Sequence, residues 1–437
     1  MNRQVPDILG LSLTLPNGAR LTNRLIKAAM TEGLADPAGV PTNDLVHLYS
    51  VWAKSGCGVL VTGNVQVDRW HLERPGNVII DRAPDARMRE RLSAWASAAK
   101  SQGSAVWMQI SHAGRQTQVT VNPHPKAPSA IALGLPGKQF GVPVALTEPE
   151  IHDVIRRFRV AAGAAQEAGF DGVQIHAAHG YLISQFLNPR ANQRADAWGG
   201  SLENRARLLM AVVKEIREHT GAKFTVTVKL NSADFQKGGF SFEESRQVVQ
   251  WLQEAGVDLI EVSGGNYEQP RMMDIEGIEK PDVAGLPAST AAREAYFADF
   301  AAQLRSEVKV PLMVTGGFRT ARAMVAAVAD DGIAMIGLGR PLCFDVDSVR
   351  QLLAGQRDTL DRWERQLRLG PGWLGPSSPL SLIKVLNGFG ATYWYYQQFR
   401  RIGSGQHPDA GLSVLFALIS ELRAQKSWLA AARRIGG

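Results

Sequence analysis

The amino-acid sequence predicts an α/β protein, a (β/α)8 TIM barrel followed by a C-terminal helical extension. Eight short, almost wholly apolar runs recur along the chain, each of strand length and bounded by turn-forming residues. Patterns of helical period lie between or after them, as parallel strands with crossover helices require. Every run also ends in polar or glycine residues, which suits a barrel whose C-terminal strand ends form a ligand-lined rim. A doubly wound sheet is the rival architecture. It would want a glycine fingerprint after the first strand, and Ala28-Ala29-Met30-Thr31 is not one.

Taken in order, residues 13–20 alternate apolar and polar around Asn17-Gly18, which predicts a short hairpin acting as a lid on the barrel's bottom. Strands are expected at 25–30, 58–65, 105–110, 172–175, 224–230, 258–262, 311–315 and 333–338. Helices are expected near 43–55, 86–102, 148–168, 203–219, 242–255, 292–306, 320–330 and 345–354. The strand ends then present Thr31, Gly63-Asn64, Gln109 with His112, His176 with His179, Lys229, Ser263-Gly264-Gly265, Gly316-Gly317-Phe318 and Gly339-Arg340. Two insertions break the rhythm. Residues 112–147 are proline-rich and read as an excursion over the mouth, with a hairpin as its expected form. Residues 266–290, with Arg271, Met272 and Met273, follow strand six and read as a substrate gate.

The composition, 45% apolar and 20% charged over 437 residues, is that of an ordinary globular protein. No apolar stretch approaches the ~18 residues of a membrane span. The opening Met-Asn-Arg-Gln-Val-Pro-Asp lacks the apolar core of a signal peptide, so a cytoplasmic location is expected. The net charge of +7 is concentrated in residues 357–437, which hold 11 Lys/Arg against 5 Asp/Glu. We divide the chain into a barrel, residues 1–355, and a basic, aromatic-rich helical extension, residues 356–437. In the extension, Leu412, Leu415, Phe416, Ile419 and Leu422 share one helical face, and Tyr393-Trp394-Tyr395-Tyr396 with Phe399 form an aromatic cluster. This reads as a helical layer packed on the barrel or on a second subunit, and in the second case the extension would make a homo-oligomer. No nucleic acid is expected, although a tether to RNA or a membrane surface is the remote alternative.

The chain is organised around residues 173–207. A buried strand ends there in His176, His179 and Tyr181, two imidazoles and a phenol aimed at one small molecule. A His/His/Tyr metal site is the competing reading, weakened because no third convincing ligand follows; no metal is expected. After them Asn188, Arg190, Asn192, Arg194 and Gly199-Gly200 read as an ordered loop, and Ser201-Leu202-Glu203 starts a helix one residue short of a capping box. The paired glycines at 316–317 and Gly339-Arg340 offer open backbone N–H groups and a guanidinium fork where barrels commonly bind phosphate, or they are turn residues.

The pattern His176-Ala177-Ala178-His179-Gly180-Tyr181-Leu182, Gln185-Phe186-Leu187 and Gly199-Gly200-Ser201-Leu202-Glu203-Asn204-Arg205 resembles the old yellow enzyme family of flavin-dependent ene-reductases. Further matches run from Asn23-Arg24 to Gly339-Arg340-Pro341, so the resemblance covers roughly residues 5–350. It implies non-covalent FMN, reduced by NADPH or NADH, and a small enone- or enal-like substrate whose C=C bond takes hydride from flavin N5 at Cβ and a proton at Cα. It further implies a phosphate site at Gly316, Gly317, Gly339 and Arg340. Gln109 and Lys229 would meet the pyrimidine edge, with a barrel-rim salt bridge as the alternative for Lys229, where many relatives carry Arg. Thr31 would bond the flavin carbonyl near N5, with Ala29, Met30 and Gly63 also in the cofactor site. His176 and His179 would hold the substrate oxygen as an oxyanion site does, and Tyr181 would protonate Cα. His112 would fix loop geometry, and Arg115 would reach the substrate or nicotinamide. The larger relatives with an iron–sulfur cluster need four clustered cysteines after the barrel. This sequence has only Cys57 and Cys343, so no cluster is expected. Flavin-dependent isomerisation and amine demethylation stay open on the same fold.

Overall fold

The computed structural model of the chain describes residues 8–135, 139–265, 268 and 297–435. Eight parallel strands pair in chain order: β1 (Leu25–Lys27), β2 (Val59–Val61), β3 (Ala105–Ser111), β4 (Gly172–Ala177), β5 (Thr225–Asn231), β6 (Leu259–Ser263), β7 (Leu312–Thr315) and β8 (Met335–Leu338). β8 pairs back onto β1 through Ile336↔Leu25 and Leu338↔Lys27, which closes the sheet into a (β/α)8 barrel. The outer helices are α1 (Asn43–Trp52), α2 (Ala86–Lys100), α3 (Glu148–Glu167), α4 (Leu202–Thr220), α5 (Phe242–Glu254), α6 (Ala298–Arg305), α7 (Ala321–Ala329) and α8 (Ser348–Leu353). α3 and α5 start on capping boxes, Thr147 with Glu150 and Ser241 with Glu244, which satisfy backbone donors that have no partner within the helix.

Alternation along each strand sorts the side chains. Val173, Ile175 and Ala177 of β4, like Val226, Val228 and Leu230 of β5, join the apolar layer under the helices. The other set faces the lumen, where Ile26, Val59, Val61, Trp107, Leu259, Met313 and Met335 form a separate small core. That core is plugged from below by Leu15 and Leu21 of the antiparallel hairpin Leu13–Thr14/Arg20–Leu21. Asn17 at its turn donates to Lys223 O at 3.1 Å and Thr225 Oγ1 at 3.0 Å, so the hairpin closes the bottom as its sequence predicts.

One expectation needs revision. The excursion at 112–147 is not a regular hairpin, for Lys126–Ala127 and Val144–Ala145 pair in parallel and antiparallel pairing among its described residues is confined to the isolated bridge Gln118↔Phe140. Between Tyr181 and the loop that begins at Asn188, Leu182–Leu187 form a short, fully buried helix. The expected gate at 266–290 lies outside the described residues except for Glu268, and helix α6 is described only from Ala298.

The extension folds as α9 (Ser381–Gly403) and α10 (Val414–Ile435). Trp394 and Phe399 are buried, and Phe399 meets Trp52 of α1 edge-on at 5.3 Å. Trp394, Tyr395 and Phe399 of the aromatic cluster therefore pack inward, with Tyr393 and Tyr396 half-buried. The apolar stripe does not pack on this chain's own barrel, because Leu415, Phe416, Ile419 and Leu422 are all exposed. The face that packs carries Val414, Ala417, Leu418, Glu421 and Gln425. A buried polar face is explained by its partner. Arg74, from the loop after β2, pairs with Glu421 while its guanidinium lies 3.7 Å from the centre of the Tyr396 ring. Gly33, at φ +67°, leaves room for that guanidinium, since a Cβ there would stand 2.8 Å from Cζ.

Glu421→Ala would leave the Arg74 cation buried and unpaired, which costs about 3–5 kcal/mol and should be read as a loss of thermal stability. Burial alone would raise the Glu421 carboxyl, but Arg74 and Arg400 outweigh it and hold it below its usual range. Its contribution is therefore full above the unfolded carboxyl pKa and is lost as pH falls through the lower folded value. The Glu421→Ala variant should lack that segment of the acid-unfolding profile. Among the described residues no helix is long and apolar enough to cross a membrane.

Candidate active site at the C-terminal ends of the strands

The lumen side of β4 runs from Gly172 through Gln174 to His176, from small to amide to imidazole as the mouth opens. Just past the strand, His179 and Gly180 both take left-handed backbone angles, φ +61° and +78°. The first is a conformation that a residue with a side chain seldom holds without support. Support comes from Asn231 Oδ1, which accepts the His179 N–H at 3.1 Å, and from Gln116, which donates to its carbonyl at 3.0 Å. The turn folds Tyr181 back so that its ring meets His176 edge-on at 4.7 Å, while His176 and His179 lie 5.1 Å apart. The structure thus brings His176, His179 and Tyr181 into one cluster, with His176 and Tyr181 buried and His179 half-buried.

The imidazoles are neutral at pH 7. Burial first, and then the nearby charge of Lys229, drives His179 well below the ordinary range; burial, His179 and Lys229 do the same for His176. Ala178 N–H donates to His176 Nδ1 at 3.3 Å, so the ring proton sits on Nε2. His179 Nε2 lies 2.7 Å from Ser263 Oγ.

Strand register puts Lys229 beside His176 on one side and Glu261 on the other, and puts Gln109 beside Gln174. A continuous polar chain results. Gln109 Nε2 donates to Gln174 Oε1 at 2.8 Å, Gln174 Nε2 donates to Glu261 Oε2 at 2.8 Å, and Lys229 Nζ lies 2.9 Å from Glu261 Oε1. The two residues expected at the flavin's pyrimidine edge are thus joined through Gln174 and Glu261, which sequence analysis missed. The signal was present, because a Gln and a Glu inside apolar strands need partners. Lys229 is both a rim ion pair and a lumen-facing cation.

Thr31, half-buried, lies 3.5 Å from Asn64 Oδ1, and Asn77 Nδ2 donates to the same oxygen at 2.9 Å. Beneath them Glu73 is pushed above the usual carboxyl range by burial. Ala29 and Met30 lead into this segment, with Met30 Sδ 3.3 Å from Cys343 Sγ. Gly63 has a packing reason to be glycine, for a Cβ would stand 2.1 Å from Glu32 Oε2 and 2.5 Å from Met30 O. Gly316 and Gly317, at φ +118° and +82°, leave β7 beside Gly339 and Arg340, which leave β8. A Cβ on Gly316 would meet nothing closer than 3.8 Å, so the backbone there is open to a ligand. Arg115 does not project freely into the mouth; its Nη2 lies 3.1 Å from Glu268 Oε2 and its Nη1 3.3 Å from Ile131 O.

One group among the described residues has metal-ligand chemistry, Asp68 with His71 and His112. Its hydrogen bonds argue against an ion. His71 Nε2 accepts from Lys126 N at 2.8 Å and His112 Nδ1 from Gly114 N at 3.0 Å, so both rings turn their protonated nitrogen toward Asp68. Arg157 Nη1 lies 3.1 Å from the same Asp68 oxygen, where a cation would have to bind. Burial alone would raise the Asp68 carboxyl, but His112 and His71 hold it far below the usual range, and burial first, then His71, pushes His112 down to about 4. The cluster ties two mouth loops to α3.

Comparison with known proteins agrees with this geometry. Residues 13–359 match the model of the NADH:flavin oxidoreductase / NADH oxidase family. An NADH-dependent flavin oxidoreductase of Hypocrea jecorina is 38% identical over 76% of this chain and 85% of its own length. An NADH oxidase of Thermoanaerobacter brockii is 31% identical over 78% of this chain, which spans half of that protein. Among solved structures, an old yellow enzyme homologue from Zymomonas mobilis superposes with a TM-score of 0.66 at 24% identity, covering 81% of this chain and 94% of its own. Morphinone reductase does so with 0.64 at 23%, covering 80% and 90%. At these identities the structural likeness speaks for the fold.

Proposed function

The chain belongs to the NADH:flavin oxidoreductase / NADH oxidase family, of old yellow enzyme type, and from that premise we propose that it uses FMN and NADH to reduce activated C=C bonds of α,β-unsaturated carbonyl compounds. The observation that carries the reading is the His176–His179–Tyr181 cluster, one strand register from the Lys229 ammonium. NADH is inferred as the donor from the names of the fungal relatives.

The residues present fit FMN. Open glycine backbone and Arg340 at the ends of β7 and β8 suit its phosphate, and an amide and an ammonium on the lumen wall suit its pyrimidine edge. When bound, FMN supplies a two-electron carrier between nicotinamide and acceptor. Gly316, Gly317, Gly339 and Arg340 would hold the phosphate. Gln109 and Lys229 would hold the pyrimidine edge, and Ala29, Met30, Thr31 and Gly63 would line the opposite side.

His176 and His179 then serve as neutral donors to the carbonyl oxygen of the acceptor. Neutral imidazoles stabilise charge as it builds on that oxygen without binding it as a fixed ion pair beforehand. Tyr181, held against His176, hands its phenolic proton to the α carbon. Burial of His176 and Tyr181 also limits access of bulk water to the reacting atoms.

The test is an absorption spectrum of the purified protein, followed anaerobically by NADH and then 2-cyclohexenone. Yellow colour that bleaches with NADH and returns with the enone is the expected result. A colourless protein that takes up no added FMN would overturn the reading. Turnover of an unsaturated substrate without consumption of NADH would replace reduction by isomerisation.

A further inference from the structure

The family match ends at residue 359, yet the chain just beyond it reaches back to the rim of the barrel. Trp363–Arg365 form a 3₁₀ turn, and the Glu364 carboxylate lies 2.7 Å from Arg319 Nη2 and 3.7 Å from Arg340 Nη1 through the same oxygen. Arg319 follows Gly316-Gly317 after β7, and Arg340 follows Gly339 after β8. One carboxylate therefore gathers the cations of both glycine-bearing loops.

Glu364 is itself held. Its second oxygen accepts from Tyr395 Oη of α9 at 3.2 Å, and Tyr395 is buried. The neighbouring Trp363 ring packs on Phe344 at 4.3 Å and lies nearly parallel to Trp394 at 6.1 Å. Burial alone would raise the Glu364 carboxyl, but Arg340 and Arg319 outweigh it and keep it below the usual range. An ionised carboxylate fixed by the extension thus meets two guanidinium groups fixed by the barrel.

We propose that Glu364 and Tyr395 are positioning residues for the phosphate of FMN, acting through Arg340, with Arg319 fixing the carboxylate. The proposal rests on the reading of these glycine loops as the phosphate site. An arginine fork binds phosphate well only when its planar donors already point at the oxygens, and a free guanidinium on a long side chain loses rotamer freedom on binding. Glu364 restrains one side of the Arg340 fork for the ligand, while Arg319, which also donates from Nη1 to Phe318 O at 2.8 Å, holds the carboxylate in place. The role of residues beyond 359 is then to complete the flavin site from outside the family's own boundary.

The opposite sign is physically available, because a carboxylate beside a phosphate also repels it, and the variants separate the two. Dissociation constants of FMN and of riboflavin, which lacks the phosphate, are measured by flavin fluorescence on the full-length protein stripped of bound flavin. In Glu364→Ala, FMN binding should weaken about tenfold with riboflavin unchanged, so the preference for FMN falls by the same factor. Glu364→Gln keeps an acceptor oxygen and should restore most of the preference, and Tyr395→Phe should fall between wild type and Glu364→Ala.

Equal weakening of FMN and riboflavin would mean a general structural defect and overturn the proposal. So would an unchanged preference in Glu364→Ala, or tighter FMN binding in both Glu364 variants. Should Glu364→Ala fail to fold, Tyr395→Phe with an unchanged preference overturns it alone. A wild-type protein that binds FMN no more tightly than riboflavin would instead remove the phosphate-site reading beneath it.

Discussion

A protein carrying both His176→Ala and His179→Ala should keep its FMN and its reduction by NADH, yet lose reduction of 2-cyclohexenone. Removing one preorganised donor from an oxyanion site typically costs a factor of about 100–1,000 in rate, so losing both leaves little beyond background. The rings touch at 5.1 Å, and their separate losses should not simply multiply. The single variants should also be unequal. His176 has Nδ1 satisfied by the Ala178 N–H and its Nε2 proton available, whereas His179 Nε2 is engaged with Ser263 Oγ. His176→Ala should therefore be the more damaged of the two. Stopped-flow reoxidation of the NADH-reduced protein by the enone measures both. Full activity in the double variant would remove the anchor assignment.

The same geometry sets a pH expectation. Burial holds both imidazoles well below their ordinary range, so both are already neutral above pH 6. The enone half-reaction should not accelerate through histidine protonation as pH falls from about 8 to about 6, within the span where an ordinary imidazole gains its proton. A rise by the full titration of one imidazole would show that a charged donor carries the step.

The barrel was legible because its strands are buried on both faces and its helices on one, two periods that composition alone separates. The lumen was half legible. His176, Gln109 and Lys229 stand at strand ends, where a rim is expected, but Gln174 and Glu261 lie within apolar runs and come to light only when register pairs them with Gln109 and Lys229. Gly63 shows the limit in the other direction. Its position suggests a ligand contact, yet the carboxylate of Glu32 is sufficient reason for the missing side chain.

The extension was the least legible part. An apolar stripe on α10 suggests the face that meets the barrel, yet that face instead joins Val414, Ala417 and Leu418 to Glu421 and Gln425, because part of what it meets is a cation. Hydrophobic periodicity cannot anticipate a buried Arg74–Glu421 pair separated by more than 300 residues of sequence. The pairing of Glu364 with Arg319 and Arg340 escaped for the same reason, since charge partners in a folded chain carry no period.

Tyr181→Phe separates the two half-reactions most sharply. The substitution removes one oxygen and keeps the ring, so the edge-on contact with His176 at 4.7 Å and the burial of the side chain persist. What is lost is the proton donor to the α carbon, and general acid groups of this kind are worth roughly 100- to 10,000-fold. The half-reaction with 2-cyclohexenone should slow by that order, while bleaching by NADH stays within about twofold, because the nicotinamide step requires no proton from the phenol. Ferricyanide, which takes electrons without carbon protonation, should turn over at the wild-type rate and report that the site is intact. A solvent deuterium effect on the slow step of the wild type should also change in the variant, where water must deliver the proton. If both half-reactions fell together, Tyr181 would be shaping the pocket and the acid would have to be sought elsewhere on the rim.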